Sequence, residues 1–372
     1  MEFTLILFWG SLTIYATALL FFNFGANNRI SAKVVHPLPS VSVIVAIHNG
    51  ETSLVNLISD LQQQEYKGQF EIILVDDNSS DNTEQVIKKI VEDNEKFKYV
   101  HSSEGKVSLT LKKRALDAGI KNASFDILLF TDVDCRLSKK WIKTMASAFK
   151  TETEYVIGLS KVIPSNSWIS QFQSLDFQML ETASLGMAAL GIPWACTGQN
   201  QAYRKRLFEE VGGFDKISNL LQGDDTLFLQ LCRKAGAKTS YVYDQNSVVT
   251  SRTENFLAGF LKQRMRWSGD AARIYNYNSA FFIMVIATFM LNGLICFIPI
   301  IGIPIHHVIA GLFIKFIVEY RLYGTGIKLL SIQEQNIMKF FIWFVLQIPF
   351  VFLMGLSSFW AQQLLGWKNR KI

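Results

Sequence analysis

Three long stretches without a charged side chain constrain this sequence more than anything else in it. Phe3 to Phe24 contributes about 22 such residues, Ala280 to Ile303 about 24, and Phe340 to Leu365 about 26. A helix needs about 20 apolar residues to cross a hydrocarbon core of roughly 30 Å, so each run is long enough to span a membrane. A fourth, weaker run from Ile305 to Tyr320 carries Lys315 and Glu319, one helical turn apart and able to pair. That run spans, re-enters or lies in the interface, so the expectation is two or three C-terminal spans.

Charge is distributed along the same map. Of the net +6, the segment from Arg29 to Ser279 holds 30 basic and 28 acidic residues, whereas the last 93 residues hold seven basic and two acidic. Most of the basic excess therefore borders apolar sequence, which argues against a nucleic-acid partner. Basic residues come after the first run, at Arg29 and Lys33, rather than before it, which favours an anchor over a cleaved signal and places the chain from Arg29 onward in the cytoplasm. The basic tail from Trp367 to Lys371 also asks to be cytoplasmic and conflicts with a three-span C-terminus. Four scattered cysteines, Cys135, Cys196, Cys232 and Cys296, suit a reducing compartment and form neither a disulfide framework nor a zinc pattern. The division expected is an anchor at 1–28, a cytoplasmic domain at 29–279 with interfacial helices, and a membrane region at 280–372.

Between the spans, short β-branched runs alternate with amphipathic ones. Val41–Ala46, Phe70–Val75, Tyr99–Val100 and Phe125–Phe130 read as strands; Glu51–Gln64, Asp81–Val91 and Leu109–Lys121 read as helices. The alternation predicts an α/β fold, a mostly parallel Rossmann-like sheet with helices on both faces, plus transmembrane helices. Ligands of such sheets bind at the carboxyl ends of the strands, where Asn49, Asp76, Asp77, Asp132 and Asp134 fall.

Each cluster has a chemical reading beside a bland one. Asp132 and Asp134, separated by one residue after a buried strand, point the same way and suit a hard cation completed by phosphate oxygens, or are simply solvated. Asp76 and Asp77 suit a nucleobase imide or a ribose hydroxyl; the residues after them also make good helix caps. Gly223-Asp224-Asp225 opens a helix, as a cap or as a general base whose pKa a neighbouring acid raises. Gln263, Arg266 and Trp267 share a helical face and supply an amide, a cation for a diphosphate and an indole for a sugar, or else form an interfacial belt. Trp168 to Leu190 is either an interfacial helix over the acceptor site or an ordinary buried helix.

Taken in order, Val41 to Asn49, Val75-Asp76-Asp77, Lys112-x-x-Ala115-Leu116, Thr131-Asp132-Val-Asp134, Thr197-Gly-Gln-Asn200, Gly223-Asp-Asp225 and Gln263-x-x-Arg266-Trp267 resemble the membrane-bound inverting family 2 glycosyltransferases, which include cellulose and hyaluronan synthases and ceramide glucosyltransferase. The resemblance covers roughly residues 40 to 270. It implies a GT-A fold, a Mg²⁺ or Mn²⁺ cofactor and a UDP- or GDP-sugar donor. The acceptor implied is a hydroxyl on a lipid or a growing glycan. It also implies residence in a bacterial-type inner membrane with a cytoplasmic catalytic domain; it leaves protein partners unnamed.

Carried over residue by residue, Asp225 is the catalytic base, and Asn49, Glu51, Asp76, Asp77, Lys112 and Asp132 bind the donor. Asp134 and Asp132 meet the metal. Gln263, Arg266, Trp267, Asp224, Gly198 and Asn200 serve the diphosphate and acceptor. Ala46 stands where the family's first strand usually has proline, and Asp224 where glutamate is common. Processive polymer synthesis and an inactive membrane scaffold are the alternatives. The scaffold is disfavoured because Asp132, Asp134 and Asp225 are all present. The few C-terminal spans favour a lipid-linked or short acceptor.

Overall fold

The computed structural model describes residues 2–28, 38–220, 222–271, 273–332 and 336–360. Arg29, Lys33 and the 367–371 tail lie outside them. The chain divides into two compact units, each discontinuous in sequence: one comprises Met1–Arg29, Pro164–Trp194 and Thr253–Ile372, the other Ile30–Ile163 and Ala195–Arg252.

Among the described residues the second unit holds nine strands: β1 (Val41–Ile47), β2 (Phe70–Asp76), β3 (Phe97–His101), β4 (Ile127–Phe130), β5 (Tyr155–Ile157), β6 (Ser160–Ile163), β7 (Gln201–Arg204), β8 (Thr239–Tyr241) and β9 (Val249–Arg252). Seven form a sheet ordered β3-β2-β1-β4-β7-β5-β8, and β6 pairs with β9 apart from it. The pairings β1 with β2, β1 with β4, β2 with β3 and β5 with β8 are parallel; β7 runs antiparallel to both β4 and β5. The expected mostly parallel α/β sheet is thus present, with β7 as its reversed member. The near-continuous burial of β1, β2 and β4 explains their largely apolar sequences, since helices cover both faces. One face packs Val41, Val43, Val45 and Leu129 against Leu54, Leu57 and Trp141. Elsewhere in this unit Tyr203 stacks on Phe130 at 4.5 Å and lies 5.0 Å from Phe228.

Strand order steps outward from β1 through β2 to β3, then returns to β4 on β1's other side. That reversal makes the β1/β4 edge the switch point where a crevice opens. Because β7 is antiparallel, its first residue, Gln201, sits opposite the last residue of β4, Phe130. The turn before β7 therefore reaches the same edge as the loop after β4.

The other unit is helical: Glu2–Asn27, Trp168–Ala189, Leu257–Ala271, Ser279–Cys296, Ile298–Ile301, Ile305–Leu329 and Ile337–Ser357. Among the described residues, Glu2–Asn27, Ser279–Cys296 and Ile337–Ser357 are long and apolar enough to cross a membrane. The 280–303 run is not one helix: it ends at Cys296, and a short helix with proline in its first turn comes next. Within this unit the first helix crosses Trp168–Ala189 backbone to backbone. A Cβ on Gly25 would stand 2.0 Å from the Gly186 carbonyl oxygen, and one on Gly186 2.1 Å from that of Phe22, so only glycine fits at either position. Ile305–Leu329 carries the expected ion pair: Lys315 and Glu319 are bonded and 0% exposed. Tyr15 donates to the same carboxylate, and Gln347 lies 3.4 Å from both of its oxygens.

Candidate active site

The carboxyl ends of β1 and β2 are knitted together by their own polar side chains. Asn49 adopts a left-handed φ of 52°. Its Oδ1 accepts from the Ser80 backbone N–H at 2.7 Å, and its own N–H donates to Ser79 Oγ at 3.0 Å. Glu51 Oε1 accepts from Asn82 Nδ2 at 2.9 Å, and the Gly50 N–H donates to Thr83 Oγ1 at 2.8 Å. Asp76 is 2% exposed and closes an Asx turn by accepting from the Ser79 N–H at 3.3 Å. Asp77, half-buried, continues the β1–β2 ladder by donating its N–H to the Ile47 carbonyl at 2.7 Å. The loops after β1 and β2 thus hold each other in place through these bonds.

Gly50 ties this loop pair to the aspartates after β4. A Cβ there would lie 2.7 Å from Ile47 Cγ2 and 3.0 Å from Val133 Cγ2, the residue between Asp132 and Asp134. A side chain at Gly50 would have to push Ile47 and Val133 aside, so the two loops pack closely there.

At this edge a lysine bridges two carboxylates. Lys112 Nζ donates to Asp132 Oδ1 at 2.7 Å and stands 3.3 Å from Asp224 Oδ2. Burial works against its charge, but Asp132 and Asp224 outweigh that and hold its pKa above the ordinary lysine value. Gly198 faces the same group: a Cβ on it would be 3.1 Å from Lys112 Nζ and 3.3 Å from Asp224 Oδ2. Asp225 caps the helix Thr226–Lys234 through the Thr226 N–H. Burial, then the adjacent Asp224 charge, pushes the Asp225 carboxyl up to about 7, against the Thr226 N–H and Lys112, which pull it down. A half-buried acid poised near neutrality is suited to accept a proton from a hydroxyl.

Could these residues hold a divalent cation? Among the described residues no group of three or more His, Cys, Asp or Glu is placed to hold a metal ion by itself. The donors are nonetheless all hard oxygens. Asp134 is exposed, and Asp224 Oδ2 is buried without a hydrogen bond, its near cation being Lys112. One or two carboxylates, with phosphate and water completing the shell, is how Mg²⁺ is commonly bound. The set fits a cation that arrives with a diphosphate.

The sheet unit thus brings Asn49, Glu51, Asp76 and Asp77 into one pair of loops, and Lys112, Asp132, Gly198, Asp224 and Asp225 into a cluster. Asn200 is not brought to the surface of either. It is 0% exposed: its Oδ1 accepts from Trp141 Nε1 at 3.0 Å and its Nδ2 donates to the Ser247 carbonyl at 2.8 Å. Its side chain ties the start of β7 to Trp141, Leu159 and Ser247. Gln263, Arg266 and Trp267 belong to the helical unit, on Leu257–Ala271. There Arg264 lies 4.2 Å from the Trp267 ring centroid and bonds Asp176 at 2.9 Å, so the indole is held by a neighbour that the motif's spacing does not single out.

Residues 42–212 match the family described as Glycosyl transferase family 2. An N-acetylglucosaminyltransferase of Azorhizobium caulinodans is 25% identical over 249 residues, 63% of this chain and 60% of that protein. Poly-beta-1,6-N-acetyl-D-glucosamine synthase of Staphylococcus aureus is 24% identical over 267 residues, 70% of this chain and 61% of the synthase. The chain thus matches about three-fifths of the length of these curated relatives. Among solved structures, the mannosyltransferase PcManGT from Pyrobaculum calidifontis, in complex with GDP-Man and Mn²⁺, superposes with a TM-score of 0.62 at 13% identity, covering 99% of this chain and 100% of that one. That likeness establishes the GT-A fold expected from the sequence.

Proposed function

We propose that this chain, a glycosyltransferase whose residues 42–212 form a family 2 domain, moves a sugar from a UDP- or GDP-sugar to an acceptor hydroxyl at a membrane, by a single displacement that inverts the anomeric carbon. The observation that carries the reading is the cluster at the switch-point edge: Lys112 pairs with Asp132 at 2.7 Å and Asp224 at 3.3 Å, beside Asp225, whose carboxyl is pushed up to about 7. The names of the relatives make N-acetylglucosamine the first sugar to test.

Each residue has a task in this scheme. Asp76 and Asp77, in the loop that Asn49 and Glu51 hold, receive the base and ribose. Lys112 already neutralises two carboxylates and is placed to meet the diphosphate as well. A Mg²⁺ or Mn²⁺ held by Asp134 and Asp132 would supply charge neutralisation for the departing nucleoside diphosphate. Asp225 takes the proton of the acceptor hydroxyl as that oxygen bonds to the anomeric carbon and the bond to the diphosphate oxygen breaks. Gln263, Arg266 and Trp267 serve the leaving diphosphate and the acceptor. The domain faces the cytoplasm of a bacterial-type inner membrane, and the acceptor is a lipid or a growing glycan.

The test is direct. Membranes containing the protein are incubated with a panel of UDP- and GDP-sugars, and the product is identified by mass spectrometry. One added sugar per lipid or short acceptor supports single transfer; a ladder of masses supports the processive alternative that the synthase relatives raise. No nucleoside diphosphate release above an Asp225→Asn control, with any donor, overturns the proposal.

A further inference from the structure

The helix Leu111–Asn122 begins against two local rules. Its first turn holds Lys112, Lys113 and Arg114 and no acid, although a cation near the positive end of a helix is disfavoured by roughly 0.3–1 kcal/mol. Leu111 itself has a φ of 57°, in the left-handed region that a branched side chain avoids. Departures of this kind persist where something else over-determines them. Lys112 is accounted for by Asp132 and Asp224. Lys113 is not, and it is 1% exposed.

The Lys113 ammonium donates to the backbone carbonyls of Ile217 at 2.7 Å, Leu220, and Gln222 at 3.2 Å. Three acceptors meet a group with three N–H donors. Those carbonyls belong to the segment that enters Gly223, whose φ of 103° turns the chain into Asp224 and the helix-capping Asp225. Farther along, Gln201 Nε2 donates to the Asp224 carbonyl at 3.1 Å and Thr226 Oγ1 to the Cys196 carbonyl at 3.1 Å. The acid pair is therefore fastened downstream by Gln201 and Thr226 and upstream by Lys113.

We propose that Lys113 is a positioning residue for the acid pair: consecutive lysines of one helix start divide the work, Lys112 binding the carboxylate of Asp224 and Lys113 fixing the backbone that delivers Asp225. The inference rests on the reading of Asp225 as the base. Lys113→Met keeps the buried stem and removes the donors, so the Leu220 and Gln222 carbonyls lose the ammonium, the Ile217 carbonyl keeps only the Leu220 N–H, and the segment is free to shift. A displacement of about 1 Å at a reacting group can cost on the order of 100-fold in rate.

The test uses the full chain in detergent, with whichever UDP- or GDP-sugar of the panel the wild type turns over. Lys113→Met is expected to lower kcat by roughly 10- to 100-fold and to add no further loss in an Asp225→Asn background. Amide hydrogen exchange should rise in peptides covering 217–225 while β1 and β2 peptides keep their protection. Equal losses in both backgrounds, or no loss in either, overturn the proposal, as does unchanged exchange at 217–225. Where Lys113→Met does not fold, Lys113→Gln, which keeps two donors, is put through the same cycle with the same criteria. If Asp225→Asn turns over like wild type, the base assignment fails instead, and the exchange data still judge the clamp.

Discussion

Asp225→Asn separates two consequences of one carboxyl. In the fold its pKa is raised from an ordinary 3.8 to about 7, chiefly by burial and then by Asp224. At ~1.36 kcal/mol per unit, three units amount to a ceiling of about 4 kcal/mol. The sign comes from proton counting: between pH 4 and 7 the native state holds a proton that the unfolded chain has released. This group therefore costs the fold nothing below about pH 4, progressively more up to pH 7, and its full amount above that. Asparagine is neutral at all pH values and caps a helix as well as aspartate does. The variant should melt with the wild type near pH 4 and above it at pH 8, by several degrees if half of the ceiling is realised. Its turnover should fall by 100-fold or more, the usual loss for a general base, and the wild-type rate should decline as pH drops through about 7. Differential scanning fluorimetry in detergent at several pH values and diphosphate release at the same values give both curves. A variant no more stable than wild type at pH 8 would refute the electrostatic reasoning, and one with full turnover would refute the catalytic role.

Three other outcomes are expected. Chelation with EDTA should abolish turnover and added Mn²⁺ or Mg²⁺ should restore it, with Asp134→Ala needing more metal for half-maximal rate; metal-independent turnover in both proteins would count against a cation at Asp132 and Asp134. Gly50→Ala must push the Ile47 and Val133 side chains aside and should destabilise by about 1–3 kcal/mol while weakening binding of UDP or GDP, whichever the donor panel selects, as read by melting and calorimetry. Glu319→Leu strands the Lys315 ammonium among apolar side chains and should cost about 3–5 kcal/mol, whereas Lys315→Met with Glu319→Leu should recover most of it, measured by unfolding in detergent.

Legibility from sequence tracks physical signal strength. β1, β2 and β4 are buried on both faces, so their apolar runs announce them, and with them the aspartates at their ends. Tyr155–Ile157, Gln201–Arg204 and Thr239–Tyr241 are three or four residues long, too short for any period to register. Their pairing, including the antiparallel β7, is set by tertiary contacts. Asn200 is expected at the site only through the resemblance of its motif to the family's; the fold shows its amide spent on Trp141 and Ser247. The residue that sequence reasoning passes over is Lys113. Its signal is present, since three cations in a first helical turn oppose the macrodipole, but such a cluster reads as solvated until burial is known. The Gly25–Gly186 crossing joins positions about 160 residues apart, and glycine gives no sign of its partner.

The strand order carries a cost during synthesis. β4 lies in the middle of the finished sheet, yet its partner on one side, β7, begins about 70 residues after β4 ends. At ~5–20 residues per second, roughly 4–14 s separate the two on the ribosome. Through that interval Ile127–Phe130 is an apolar strand with one unpaired edge, open to any extended chain nearby. The nascent protein must hide its own centre for seconds before it can be completed.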